Sequence, residues 1–205
     1  MKNELEKHKL VPVVAIDNAA HAGPLAEALT NGGLPVAEIT LRTDVAFEAI
    51  KALSAIDNFL VGAGTVHSCE QAKQVFDCGA KFIVTPGFNP KTVQWCLDHS
   101  VPVFPGISSP TDLEMALEHG LGIVKFFPAE VLGGVKMLKA LQGPYRNMRF
   151  IPTGGINQSN LGDYLALQSV IACGGSWMVK SNLIADEQFD QISKLTRQAT
   201  ELASA

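Results

Sequence analysis

Short apolar and β-branched runs alternate along this chain with longer stretches of helical period, and that alternation limits its fold more than any other feature. A strand covered on both faces reads as a continuous apolar run, and a helix laid on such a sheet carries one apolar stripe. Repetition of the two builds βα units on a parallel sheet. The apolar runs predict strands over residues 11–16, 36–40, 59–63, 82–85, 103–105, 122–127, 150–153 and 170–173. Between them, helical periodicity covers residues 21–30, 46–54, 70–78, 90–99, 111–118, 135–141 and 161–167, with a last helix over about 186–202. Asn89-Pro90 and Ser109-Pro110 are start signals, and Asn31-Gly32, Cys78-Gly79 and His119-Gly120 are ends. Eight strands in alternation predict an α/β fold of one domain, residues 1–205: a single (β/α)8 TIM barrel whose segment through Leu10 forms an N-terminal helix capping the barrel floor. An open doubly wound sheet shares the alternation, but Gly62-Ala-Gly64 is a lone GxG without the third glycine or the later acidic residue of a dinucleotide site.

Charge and composition exclude several function classes. The formal net charge is −4, and no block of Lys and Arg forms a stripe able to follow a phosphate backbone, so nucleic acid is not an expected partner. The first residues, Met1 to Lys7, alternate in charge, and no apolar run reaches the length of a membrane span, which predicts a cytoplasmic protein without a membrane partner. Cys69, Cys78, Cys96 and Cys173 are scattered, with no CxxC pair and no histidine at ligand spacing, and read as small buried thiols. The five histidines are equally dispersed, so neither a metal nor another cofactor is expected. His67, just past the run ending Gly62-Ala-Gly-Thr-Val66, reads as a surface residue at a helix start.

The chemistry concentrates at strand ends. Lys125 stands in the run Gly122-Ile-Val-Lys-Phe-Phe-Pro128, where every other side chain before the proline is apolar or absent. A buried ammonium is costly, so the run either hides a pairing carboxylate or holds an amine that sheds its proton near neutral pH. An uncharged amine is a nucleophile, and a Schiff base with a carbonyl substrate is the first chemistry it indicates. In a barrel the site gathers at the carboxyl ends of the strands. There Glu38, Thr40 and Arg42 share one side by strand alternation, and an inward carboxylate and guanidinium join Lys125 at the mouth. Gly154-Gly155 and Gly174-Gly175-Ser176 follow the last two strands, where converging backbone N–H groups suit a phosphate monoester. Arg149 and Lys180 could add charge near that phosphate but read as solvated surface residues, Glu130 reads as a charge favouring the next helix start, and Lys81 as lying at the opposite face. The same glycine loops would also serve an isomerase or epimerase without a covalent adduct, or a non-catalytic sugar-phosphate binding protein. The first leaves Lys125 without a role.

Taken together, the motifs Glu38-Ile-Thr-Leu-Arg-Thr43, Gly62-Ala-Gly-Thr65, Val84-Thr-Pro-Gly87, Val124-Lys-Phe-Phe-Pro-Ala129, Pro152-Thr-Gly-Gly155 and Gly174-Gly-Ser-Trp177 resemble those of the 2-keto-3-deoxy-6-phosphogluconate (KDPG) and 4-hydroxy-2-oxoglutarate aldolase family. The resemblance spans essentially the whole chain. It implies a metal-independent class I aldolase, a lyase of the Entner-Doudoroff route, built as a homotrimer of barrels and acting on a small keto acid or sugar phosphate. It also implies roles: Lys125 as the Schiff-base lysine, Glu38 as the acid/base, and Arg42 as the holder of the substrate carboxylate. Thr65 and Pro86 would form a pyruvate pocket with Phe127 as a wall, and Thr153 would read the C4 configuration. Gly154, Gly155, Gly174, Gly175 and Ser176 would cradle the phosphate.

Overall fold

The computed structural model describes residues 1–204, of Lys2 the backbone only. Helix α1 (Lys2–His8) leads into β1 (Leu10–Val14), and a 3-10 turn (Ala19–His21) opens α2 (Ala22–Asn31). Strand and helix then alternate through β2 (Val36–Thr40), α3 (Ala46–Ser54), β3 (Leu60–Gly64), α4 (Cys69–Asp77), β4 (Ile83–Val84), α5 (Pro90–Asp98), β5 (Val103–Phe104), β6 (Gly106–Ile107) and α6 (Pro110–Glu118). The chain continues through β7 (Ile123–Phe126), α7 (Gly134–Gln142), β8 (Arg149–Pro152), α8 (Leu161–Leu165), β9 (Cys173–Gly175), α9 (Ser181–Ala185) and α10 (Phe189–Ser204).

Local sequence explains most boundaries. All five residues of β2 are buried, as a strand covered on both faces requires. In α3 the buried Ala46, Ala49, Ile50 and Leu53 recur at helical spacing and make one stripe toward the sheet. Asn89 and Ser109 accept from backbone N–H groups of the first turns of α5 and α6, and Ser109 and Asp112 form a reciprocal capping box. At the ends of α4 and α6 the expected glycines are left-handed, Gly79 at φ 97° and Gly120 at φ 69°, whereas after α2 the left-handed residue is Gly33 rather than Gly32.

The strands curl as a parallel sheet in two pieces: a six-stranded sheet in the order β5-β4-β3-β2-β1-β9 and a three-stranded one in the order β6-β7-β8. The single strand expected over 103–105 is therefore divided. Pro105 has no N–H to give, so pairing with β4 stops there. Past it Gly106 and Ile107 pair with Lys125 and Phe126 of β7. The two sheets touch at a second place, through the bridges Phe150 to Val170 and Thr153 to Gly174. The apolar run 170–173 mostly precedes its strand, because Ile171 donates to the Phe150 carbonyl before the ladder with β1 begins at Cys173. Helix α9 was not legible in the sequence; α10 starts at Phe189, later than expected, because α9 and a left-handed Glu187 occupy the intervening chain.

Side chains from opposite walls meet inside. Val11, Glu38, Phe82, Val84, Phe104, Lys125, Ile151 and Thr153 surround a void of only about 10 Å³, with Leu5 of α1 beneath. Leu5 is fully buried, so α1 closes this floor as expected. Among the described residues, no helix is long and apolar enough to cross a membrane.

Candidate active site

Glu38 sits in the middle of β2, in register with Val13 of β1 and Gly62 of β3. It is 3% exposed. Its carboxylate fits because β3 lacks side chains at two positions. A Cβ on Gly64 would lie 2.1 Å from Glu38 Oε1, and one on Gly62 would lie 2.2 Å from the Phe82 ring. The lone GxG of the sequence thus makes room for a carboxylate and an aromatic ring. Lys125, on β7, is 6% exposed, and its Nζ donates to Glu38 Oε1 at 3.3 Å. Strands β2 and β7 belong to different sheets, so this ion pair spans the interior. Two charges withdrawn from water offset their desolvation only through one another, and loss of either strands its partner. Lys125 Nζ also lies 5.1 Å from the centroid of the Phe127 ring, a cation–π contact.

Beside the pair opens a cavity of about 480 Å³, lined by Arg42, Phe127, Thr153, Gly154, Gly155, Gly174, Gly175, Ser176 and Lys180 among others. Thr153 borders both this cavity and the void that holds Glu38 and Lys125. It is 7% exposed, and Gly174 has no side chain to displace it: a Cβ there would meet Thr153 Oγ1 at 2.3 Å. Gly154 and Gly155 have φ values of 100° and 83°, a conformation that only glycine adopts without strain.

A brace behind that loop went unread in the sequence. Glu130 N–H donates to the Gly154 carbonyl, and the fully buried Tyr164 donates its hydroxyl to the Glu130 carboxylate. Burial, then that hydrogen bond, pushes the Tyr164 phenol well above its ordinary range. Against the expectation that Glu130 favours the start of α7, that helix has no side-chain cap and no acidic residue in its first turn. Glu130 Oε1 instead stands 2.9 Å from where a Cβ on Gly134 would be, so the glycine leaves it room.

Arg42, Phe127, Thr153 and the glycine loops with Ser176 therefore meet at one cavity, and Glu38 and Lys125 at the adjoining void. Thr65 and Pro86 line neither. Thr65 follows β3 at φ 60°, an uncommon conformation for a β-branched residue and one that clusters at functional sites. Pro86 packs its carbonyl against Gly106, the register partner of Lys125. Two further expectations need correction. Lys180 is exposed but lines the cavity rather than only facing solvent. Cys69 and Cys78 are half-buried, unlike the buried Cys96 and Cys173, because they stand at the two ends of α4, whose buried residues are Ala72 and Val75. For Cys96, burial pushes the thiol up to about 12. Arg149 lies at the other end of β8, donating to the Gln168 carbonyl, and His67 is exposed with its backbone joining Gln71 and Asn89 near the α4 start. Among the described residues, no group of three His, Cys, Asp or Glu side chains could hold a metal ion.

Fold and site define a class: α/β proteins that carry a buried amine–carboxylate pair inside a curled parallel sheet, next to a cavity floored by glycine loops. The chain belongs to the aldolase family described as KDPG and KHG aldolase, whose model matches residues 1–195. It is 50% identical over 199 residues to a 2-dehydro-3-deoxy-phosphogluconate aldolase of Treponema pallidum, covering 97% of this chain and 95% of the relative. It is 43% identical to a KHG/KDPG aldolase of Escherichia coli K12, covering 94% and 91%. Among solved structures, the KDPG aldolase of Legionella pneumophila, with pyruvate captured at low pH as a covalent carbinolamine, superposes with a TM-score of 0.93 at 38% identity, covering 96% of each chain.

Proposed function

We propose that this protein is a class I aldolase that cleaves 2-dehydro-3-deoxy-6-phosphogluconate to pyruvate and glyceraldehyde 3-phosphate, and 4-hydroxy-2-oxoglutarate to pyruvate and glyoxylate. The observation that carries this reading is the buried contact of Lys125 Nζ with Glu38 Oε1 at 3.3 Å, beside a cavity that holds a guanidinium and two glycine loops. Glu38 takes a proton from the Lys125 ammonium, and the freed amine adds to the C2 carbonyl. Glu38 returns that proton to the carbinolamine hydroxyl, water leaves, and a protonated imine remains. Now a carboxylate again, Glu38 removes the C4 hydroxyl proton through a water molecule. The C3–C4 bond breaks, its electron pair passes into the imine, and the aldehyde departs. Glu38 delivers its proton to C3 of the enamine, and hydrolysis frees pyruvate and the lysine.

Arg42 holds the substrate carboxylate, since its planar fork offers two parallel donors. Thr153 stands between the pair and the glycine loops, a position suited to touching the C4 hydroxyl, and Phe127 walls the keto-acid end. Gly154, Gly155, Gly174, Gly175 and Ser176 receive the phosphate. Thr65 and Pro86, which follow β3 and β4, line neither the cavity nor the void; their part in a pyruvate pocket rests on the family resemblance, and for Thr65 also on its left-handed backbone at φ 60°. The two sheets are pieces of one closed (β/α)8 barrel: Pro105 joins β5 to β6 on one side, and the Phe150–Val170 and Thr153–Gly174 bridges join β8 to β9 on the other. The chain forms one cytoplasmic domain and assembles as a homotrimer, as the family resemblance implies. Replacing Lys125 with alanine is expected to abolish cleavage of both keto acids, and Glu38→Gln to slow it at least about a hundredfold, in a coupled assay of aldehyde release. Cleavage by Lys125→Ala at a rate near that of the unaltered enzyme would refute the reading.

A further inference from the structure

In a chain of net charge −4, the cavity beside the Lys125–Glu38 pair is lined by two cationic side chains, Arg42 and Lys180, and by no carboxylate. They come from opposite sides. Strand β1 lies between β2 and β9, so Arg42, past the end of β2, and Lys180, past the end of β9, flank the cavity. Arg42 follows the strand that carries Glu38 of the reacting pair. Lys180 stands with Gly174, Gly175 and Ser176, at the end where the glycine loops converge.

Backbone N–H groups orient an anion but carry no net charge, so a phosphate dianion seated among them alone keeps its charge uncompensated. Lys180 has no ion pair or side-chain hydrogen bond with any other described residue. Lys180 borders both the cavity and a neighbouring open groove of about 540 Å³ lined by Asn157, Ser159, Asn182 and Gln191 together with the apolar Trp177 and Leu183. An exposed ammonium without an ion pair among the described residues, lining the same cavity as the glycine loops, suits a phosphate as a point charge on a long side chain. The bidentate fork of Arg42 suits a planar carboxylate instead.

We propose that Lys180 supplies the counter-charge for the substrate phosphate and is the residue that sets the preference for phosphorylated over unphosphorylated keto acids. This rests on the aldolase reading and extends it. The test compares Lys180→Met, which keeps the stem and removes the charge, with Lys180→Arg, which keeps a charge. Both are assayed on 2-dehydro-3-deoxy-6-phosphogluconate and on 4-hydroxy-2-oxoglutarate. Lys180→Met is expected to raise KM for the phosphorylated substrate about tenfold at low salt, with kcat and the unphosphorylated substrate changed by less than about twofold, and Lys180→Arg to restore most of the loss. The salt dependence of KM for the phosphorylated substrate is expected to flatten in Lys180→Met. An unchanged KM for the phosphorylated substrate, or an equal loss on both substrates, would overturn the role of Lys180 while a borohydride-trapped pyruvate adduct on Lys125 of the unaltered protein left the aldolase reading standing. Absence of that adduct would remove both.

Discussion

Lys125 was legible because an ammonium in an apolar strand is expensive, and a chain retains one only with a partner or a purpose. Its partner was legible only as a resident of the same mouth: that Glu38 sits within hydrogen-bond distance depends on two strands in different sheets facing each other across the interior. Gly62 and Gly64 were visible as a pair but not for their reason, which is steric and three-dimensional. A methyl group on Gly64 would overlap Glu38 Oε1, at 2.1 Å, and Glu38 is too enclosed to step aside freely. Gly64→Ala is therefore expected to displace the carboxylate and lower kcat at least about a hundredfold, while circular dichroism shows the fold retained; displacements of this size at a reacting group carry such losses. A Gly64→Ala protein with full kcat would show that the close fit of Glu38 is not needed. Lys180 was visible near the last glycine pair but read as a solvated residue, because an exposed lysine past a strand end has no sequence signature that separates it from any other surface lysine.

At the scale of single elements, helix starts were read best, because capping is local chemistry written in adjacent residues. The Ser109 hydroxyl accepts from Asp112 N–H while the Asp112 carboxylate accepts from Ser109 N–H, with Pro110 in the first turn. Ser109→Ala is expected to lower the stability to urea by about 1 kcal/mol without altering kcat, measured as a shift of the unfolding midpoint at constant slope. A null shift would mean that water replaces the cap at no cost. Strand limits were read less well where pairing rather than composition decides them. Pro105 divides one apolar run between two ladders, and the run at 170–173 becomes strand only where β1 is available as a neighbour. Helix α9 is a single short turn-rich element, Ser181–Ala185, with one buried residue, Ile184, too little for a periodic signal.

For the whole molecule, repetition of βα units was enough to foresee a parallel sheet wrapped by helices, since few other architectures bury so many alternating apolar segments. What repetition does not carry is how tightly the interior closes around the reacting pair. Leu5 of α1 is fully buried and meets Glu38, Lys125 and Phe82 around the same small void. Leu5→Ala is expected to cost about 3 kcal/mol, within the range for enclosed leucines, seen as a lowered melting temperature. An unchanged melting temperature would mean that the floor collapses to fill the space. The central claim is that one enclosed amine, held against Glu38, forms a covalent imine with a keto acid. It is tested most directly by incubating the protein with pyruvate, reducing with borohydride and locating the added mass by peptide mapping. A single adduct on Lys125, absent from Lys125→Ala, is the predicted result; no adduct, or one on another lysine such as Lys81 or Lys180, would contradict it.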